Sequence, residues 1–342
     1  MRKAFVFATI VAVICRATNA QPHLVFDHKI GSEWSGNNQW MSFVAISSDG
    51  STIASDGNIP DPTPDRFGLW KFPEGEFIHS VAGPPLAISS DFHYVSTETS
   101  VADLIKTPPP TPESRQQRVY DCAAFSPNGE LVALVCGRSE KKSRLQITVS
   151  RTADRSLVTQ FSKRFTASLA FHPNGEILAS GHWNNVTLWN VRTGSQLALL
   201  THVPRPKKND YDRDGRYIYG IAFSPDGNLL AAGSDDGELQ IWDVGNRKLL
   251  HSVEIGYGYV SNPAFSPDGS LIAAGTYGDG TLTLLDMSSA NILSQIKVSM
   301  FGCGSVAWSP DGKYVATPSN GGQIGSRKFD RGGSIRVFRL EK

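Results

Sequence analysis

The clearest pattern of apolar and polar positions runs from Ile221 to Val244, where three apolar runs of strand length are separated by two turn signals. Gly220–Phe223 and Leu229–Ser234 flank Ser224-Pro225-Asp226-Gly227. Proline presets φ, aspartate bonds its own backbone and glycine takes a positive φ, so these runs are predicted to form an antiparallel hairpin. Asp235-Asp236-Gly237 turns the chain into a third strand, Leu239–Val244, and Lys248–Ile255 can pair outside it. Leu229-Leu230-Ala231-Ala232 is apolar at consecutive positions, as expected of a strand buried on both faces.

The rest of the chain holds imperfect copies of this unit. Aligned on the strand before the turn, they are Phe43–Ile46, Leu86–Ile88, Ala123–Phe125, Leu169–Phe171, Ile221–Phe223, Pro263–Phe265 and Val306–Trp308. These seven starts lie about 37 to 52 residues apart, near the period of a four-stranded propeller blade. Copy two has Phe92 where the turn glycine belongs, which leaves six or eight blades open.

The Ala222–Gly227 turn, the second strand Leu230–Ser234 and the third strand Leu239–Asp243 with its Trp242-Asp243 pair together resemble the WD-repeat family. The resemblance covers nearly all of residues 21–342 and implies an all-β fold, a single β-propeller of seven four-stranded blades. Ser234, Asp236 and Trp242 match three members of that family's structural hydrogen-bond tetrad, whose histidine has no secure counterpart here. Elsewhere the Trp-Asp pair becomes Trp189-Asn190, Leu285-Asp286, Trp70-Lys71 or Phe338-Arg339, so rigidity is expected to come more from packing. The last copy stops after its third strand, Ile335–Leu340, while Leu24–His28 belongs to no copy. Pairing the two would close the ring with an N-terminal strand and cover an exposed edge.

Charge is balanced at a net +1, so nucleic acid is not an indicated partner. Arg2 and Lys3, the apolar run Ala4–Cys15 and Thr18-Asn19-Ala20 read as a signal peptide over residues 1–20, cleaved after Ala20, which predicts a secreted or periplasmic protein. The apolar run is too short to span a bilayer. Cys122, Cys136 and Cys303 are too few to make a disulfide framework. Pro108-Pro109-Pro110-Thr111-Pro112 reads as a stiff linker.

No catalytic or cofactor-binding motif is present, and no cofactor is expected. Asp210, Asp212 and Asp214 alternate before Gly215 as at the start of a calcium loop, but Ile221 stands where the bidentate glutamate belongs; the same stretch also reads as an ordinary hairpin turn. Two function classes remain: a noncatalytic interaction scaffold, and a propeller enzyme whose residues converge on the central channel.

Insertions at Asn58–Gly68, Lys106–Arg118, Arg138–Arg144, Thr201–Arg216 and Pro318–Gly333 all fall on one face of the predicted disc. Trp40, Phe165, Tyr217 and Tyr259 each lie six positions before an aligned first-strand anchor, which would bring them to that face near the channel mouth. Lys207, Lys208, Arg327 and Lys328 lie in the insertions. Aromatic anchors within a basic rim predict a protein or peptide partner, preferably acidic.

Overall fold

The computed structural model describes residues 21–30, 42–56, 66–83, 85–97, 100–104, 120–136, 145–163, 166–201, 217–299, 302–319 and 334–341. The segment 1–20 and the aspartates Asp210, Asp212 and Asp214 lie outside the described residues.

Apolar runs and turns assemble seven antiparallel sheets arranged as a β-propeller. Blade 1 is β2 (Val44–Ile46), β3 (Thr52–Asp56), β4 (Arg66–Lys71) and β5 (Phe77–Ala82). Blade 2 shows three strands among the described residues, β6 (Pro85–Ile88), β7 (Tyr94–Thr97) and β8 (Val101–Asp103). Blade 3 is β9 (Tyr120–Phe125), β10 (Leu131–Cys136), β11 (Leu145–Arg151) and β12 (Leu157–Lys163). Blade 4 follows with β13 (Ser168–Phe171), β14 (Ile177–Gly181), β15 (Asn185–Asn190) and β16 (Gln196–Thr201). Blade 5 is β17 (Ile218–Phe223), β18 (Leu229–Ser234), β19 (Glu238–Asp243) and β20 (Lys248–Glu254). Blade 6 is β21 (Ala264–Phe265), β22 (Leu271–Gly275), β23 (Thr281–Asp286) and β24 (Ile292–Lys297). Blade 7 takes β25 (Ala307–Trp308), β26 (Tyr314–Ser319) and β27 (Ser334–Glu341), and its outer strand is β1 (His23–Ile30). First strands of successive blades touch from blade 2 round to blade 7 and from blade 7 to blade 1, which sets them around the axis.

Consecutive apolar positions divide between two neighbours. In β18, Leu230 and Ala232 pack with Leu188 and Leu200 of blade 4, while Ala231 packs with Ile272 and Leu285 of blade 6. In β22, Ile272 and Ala274 face blade 5, and Leu271 and Ala273 meet Val315 and Phe338 of blade 7. Small residues in the second strands let adjacent sheets approach, and larger side chains fill the seams.

The same division explains ring closure. β1 pairs antiparallel with β27 from His23 opposite Glu341 to Ile30 opposite Ile335, with a bulge between Phe26 and His28. Leu24 enters the seam between blades 6 and 7, and Ile30 the seam between blades 7 and 1. The expected closing strand Leu24–His28 is therefore the middle of a longer one, whose far end plugs a second seam.

The turn between first and second strands is built the same way in six blades. Ser224 Oγ–H donates to Asp226 (2.5 Å) and accepts from the N–H of Leu229 (2.9 Å). Ser47, Ser89, Ser126, Ser266 and Ser309 clasp Asp49, Asp91, Asn128, Asp268 and Asp311 likewise. Blade 4 uses His172: its Nδ1 accepts from the N–H of Asn174 (3.1 Å), and its Nε2 lies 3.1 Å from the carbonyl of Gly227, which fixes the Nε2–H tautomer. Phe92 takes φ +56°, the left-handed conformation that glycine adopts in the other turns, so copy two keeps its geometry.

Ser234 Oγ–H donates to Asp236 and lies 3.1 Å from the Glu238 carbonyl. Trp242 packs in the seam between blades 4 and 5 with Ile218 and Leu230. A longer polar chain occurs one blade earlier. Trp189 Nε1–H donates to Ser180 Oγ (2.7 Å), Ser180 lies 3.0 Å from His182 Nε2, and His182 Nδ1 lies 3.3 Å from Thr166 Oγ1. Cys122 stands opposite Val135, and Cys303 is a buried free thiol. Burial pushes the Cys303 thiol up to about 12.

Removal of residues 21–30 exposes the β27 edge and opens two seams. Leu24 and Ile30 are both buried, at ~1.5–3 kcal/mol for each such aliphatic side chain. The unfolding midpoint is expected to fall sharply, and an unchanged midpoint contradicts the closing role of β1.

The turn clasps predict an acid limb in stability. The Ser47 hydroxyl and the Ser51 N–H hold Asp49 below its ordinary 3.8, and the Ser224 hydroxyl and the Asn228 N–H do the same for Asp226. A depressed carboxylate stabilises the fold fully above the unfolded value and loses that contribution as pH falls through the folded one. Melting measured from pH 6 to pH 2 is therefore expected to drop below about pH 4. Replacing Asp49 and Asp226 by Asn, the residue found at 128 and 174, makes that drop shallower; an identical acid limb in D49N/D226N refutes the assignment.

Candidate functional site

On the face where second strands join third strands, and outer strands join the next blade, aromatic side chains form a row across blades 4, 5 and 6. It begins at Trp183, in the turn between β14 and β15, where Asn184 takes φ +45° and the Asn185 side chain donates to the Trp183 carbonyl (3.0 Å). Trp183 bridges to Tyr217, just before β17, and the N–H of Ile218 donates to the His182 carbonyl (3.0 Å). The buried His182 chain thus anchors both the turn and the start of the next blade.

Ring centroids continue from Trp183 to Tyr217 at 5.8 Å, to Tyr219 at 6.0 Å, to Tyr259 at 4.9 Å and to Tyr277 at 4.5 Å. Tyr217 and Tyr219 come side by side where β17 bulges between Ile218 and Gly220. Tyr259 precedes β21 and Tyr277 follows β22, so the last stack is made inside blade 6. The row ends on backbone: a Cβ at Gly302 would lie 2.8 Å from the Tyr277 ring. Nearby, Tyr257 lies over Gly278, whose Cβ would come within 2.7 Å of that ring.

Carboxylates hold the segments that carry these rings. Asp235 accepts from the N–H of Tyr217 (3.4 Å), and Asp279 accepts from the N–H of Tyr257 (3.2 Å) and the Thr276 hydroxyl. In blade 1, Asp56 at the end of β3 accepts from the N–H groups of Ser42 (3.0 Å) and Phe43 (2.8 Å). Burial pushes Asp56 above its ordinary value, against those hydrogen bonds. Burial likewise raises the Tyr277 phenol above 10.0, opposed by a hydrogen bond with Tyr259, so this ring is a neutral hydrogen-bonding group near neutral pH.

Of the sequence-predicted binding residues, Tyr217 and Tyr259 are brought together through Tyr219. Trp40, Phe165, Lys207, Lys208, Arg327 and Lys328 lie outside the described residues. Sequence reasoning missed Tyr219, which lies in the β-bulge between Ile218 and Gly220. It also missed Trp183 and Tyr277, which sit in turns and carry no periodic signal. Among the described residues no group of three His, Cys, Asp or Glu is placed to hold a metal ion, and no helix is long and apolar enough to cross a membrane.

Residues 160–190, 210–243 and 248–286 match the family model described as WD domain, G-beta repeat. The chain is 36% identical over 91 residues to the WD repeat-containing protein VIP3 of Arabidopsis thaliana, covering 25% of this chain and 28% of that protein. It is 34% identical over 135 residues to the Periodic tryptophan protein 2 homolog of Schizosaccharomyces pombe, covering 39% of this chain and 14% of the relative. With the small ribosomal subunit protein RACK1y of Oryza sativa it shares 28% identity over 95 residues, 27% of this chain and 25% of that one. The chain thus spans less than a third of the length of each of these relatives. The matched repeats, the WD-repeat relatives and the propeller together support the WD40 repeat family for this chain.

Proposed function

We propose that this chain is an exported, noncatalytic scaffold that binds a protein partner on its loop-rich face, with Tyr217, Tyr219 and Tyr259 as central anchors. The observation that carries this reading is the row of rings crossing three blades, with Trp183 exposed at 55%. Large rings with few rotatable bonds concentrate binding energy at interfaces. Propellers of WD40 repeats generally bind proteins, which supports the class of partner. Trp40 and Phe165 extend the same spacing to two more blades, and Lys207, Lys208, Arg327 and Lys328 lie in the insertions that border the face. That rim steers the approach of an acidic partner segment. Export rests on the pattern in residues 1–20.

The experiment is capture of a partner from the exported fraction, followed by kinetics with two variants. Tyr259→Ala is expected to speed dissociation about tenfold or more with little change in association. K207E/K208E is expected to slow association in a salt-dependent manner. Normal binding by both folded variants, with binding lost on mutation of the Ser224–Gly227 or Ser309–Gly312 turns, places the interface on the other face. The isolated mature protein is expected to begin at Gln21; an uncleaved chain confined to the cytosol contradicts export.

A further inference from the structure

The outer strand of a blade has a strand on one side only, so its other edge presents a row of backbone N–H and C=O groups that invites further pairing. Most outer edges of this ring carry a guard. In blade 1 the Arg66 guanidinium donates to the Ser80 carbonyl (3.0 Å) and to the Ser80 hydroxyl (2.9 Å). In blade 3 the turn of blade 4 lies against β12, where a Cβ at Gly194 would stand 2.8 Å from the Thr159 hydroxyl and 3.6 Å from the Gln160 carbonyl. β1 carries Asp27 and Lys29, β20 carries Lys248 and Glu254, and β24 ends on Lys297. β16 has no such charge: Gln196–Thr201 contains no ionisable residue, and Gln196, Leu197, Leu199 and Thr201 are all exposed.

The contrast centres on Leu199, the second residue past the bulge in the ladder between third and outer strands, opposite Thr187. The matching place holds Ser80, Gln160, Ser252, Gln295 or Lys29 in the other blades with a fourth strand. Two of these turn back on their own blade, Ser252 donating to Glu238 and Gln295 to the Thr283 hydroxyl (3.3 Å). Leu199 is instead apolar and 47% exposed, with Leu197 beside it 38% exposed.

The hydrogen bonds of blade 4 show which way the backbone of this strand faces. The N–H of His182 donates to the Asn185 carbonyl and the N–H of Asn190 to the Ser195 carbonyl, both at 2.9 Å. Backbone groups alternate along an antiparallel strand, so Asn185 and Thr187 bond to β14, while Val186 and Leu188 bond to β16. Leu200 and Ala198, which stand opposite those two, therefore face β15. The N–H and C=O of Leu199 and Thr201 point out from the free edge.

We propose that β16 pairs antiparallel with β16 of a second copy of this chain, about a two-fold axis at Leu199, joining two four-stranded blades into one continuous sheet. An edge turned by a two-fold axis is its own complement: each Leu199 N–H donates to the other Leu199 carbonyl, and the two side chains lie side by side on one face. Leu197 then stands opposite Thr201, so no charge meets a like charge. At a net +1 the chain also meets its copy without strong long-range repulsion. The contact is narrow, which makes it a reversible association.

The experiment is sedimentation of the mature chain from micromolar to millimolar concentration, where monomer–dimer exchange is expected. Leu199→Lys and Leu199→Glu are each expected to weaken it about tenfold or more, and an equimolar mixture of the two to associate again in a salt-sensitive manner. Leu250→Lys, at a 41% exposed leucine on the outer strand of blade 5, is expected to leave it unchanged, as is Tyr259→Ala on the loop-rich face. Leu199→Cys reads the register: hydrogen-bonded antiparallel partners stand about 5.5 Å apart at Cα, within disulfide reach, so oxidation links the copies, while Leu250→Cys and the parent chain stay unlinked. Circular dichroism and melting verify that each variant is folded. A monomer throughout the concentration range overturns the proposal, as does a dimer that Leu199→Lys leaves intact or that Leu199→Cys does not link. Capture of an extended peptide at this edge by a chain that stays monomeric assigns the edge to another protein's strand and likewise overturns it.

Discussion

The constraint on which this structure depends is that no blade can bury its own apolar residues. A four-stranded sheet whose central strands are apolar at consecutive positions has two faces to hide, and only a neighbour on each side can hide them. Leu230 and Ala231 are adjacent in sequence yet belong to different seams. Once each seam needs the next, a closed ring is the arrangement that leaves no face uncovered. β1 then becomes essential in kind as well as in position, because its two ends enter the two seams that flank the closing blade.

The aromatic row inherits its order from those seams. Tyr217 and Tyr259 come from segments before first strands, Tyr219 from the start of β17 and Tyr277 from the segment after a second strand, where backbone enters or leaves the sheet. Side chains hold those segments in place: Asp235 and Asp279 accept backbone N–H groups, and the His182 chain ties one blade's turn to the next blade's first strand. Aromatic rings on separate blades can stand 4.9 Å apart only if the blades themselves are held in register by packing below them. The row is thus a product of tertiary structure rather than of any local motif.

This explains what could be read in advance. The turns were legible because Ser-Pro-Asp-Gly states its own chemistry, and the blade number followed from counting them. Copy two looked doubtful because Phe92 occupies a glycine position, yet the chain accepts φ +56° there, with the ring packed against the core between blades 1 and 2. The end of β1 was harder, since charged Lys29 interrupts the pattern before the buried Ile30. Tyr217 and Tyr259 were visible by their offset from the first-strand anchors. Tyr277 and Trp183 were not, because their partners lie on segments that only the folded ring brings together. The His182 chain was hidden for a related reason: its histidine follows a second strand, while the tetrad sought around Ser234, Asp236 and Trp242 was in the next blade.

Native-state hydrogen exchange tests the closed-ring account most directly. If the seams make one mutually dependent ring, the amides of β1 that bond to β27 exchange as slowly as those of β18 and β19, through the same global opening. Free exchange along β1 while β18 and β19 stay protected would show a strand resting on a ring that is complete without it, and would contradict the account.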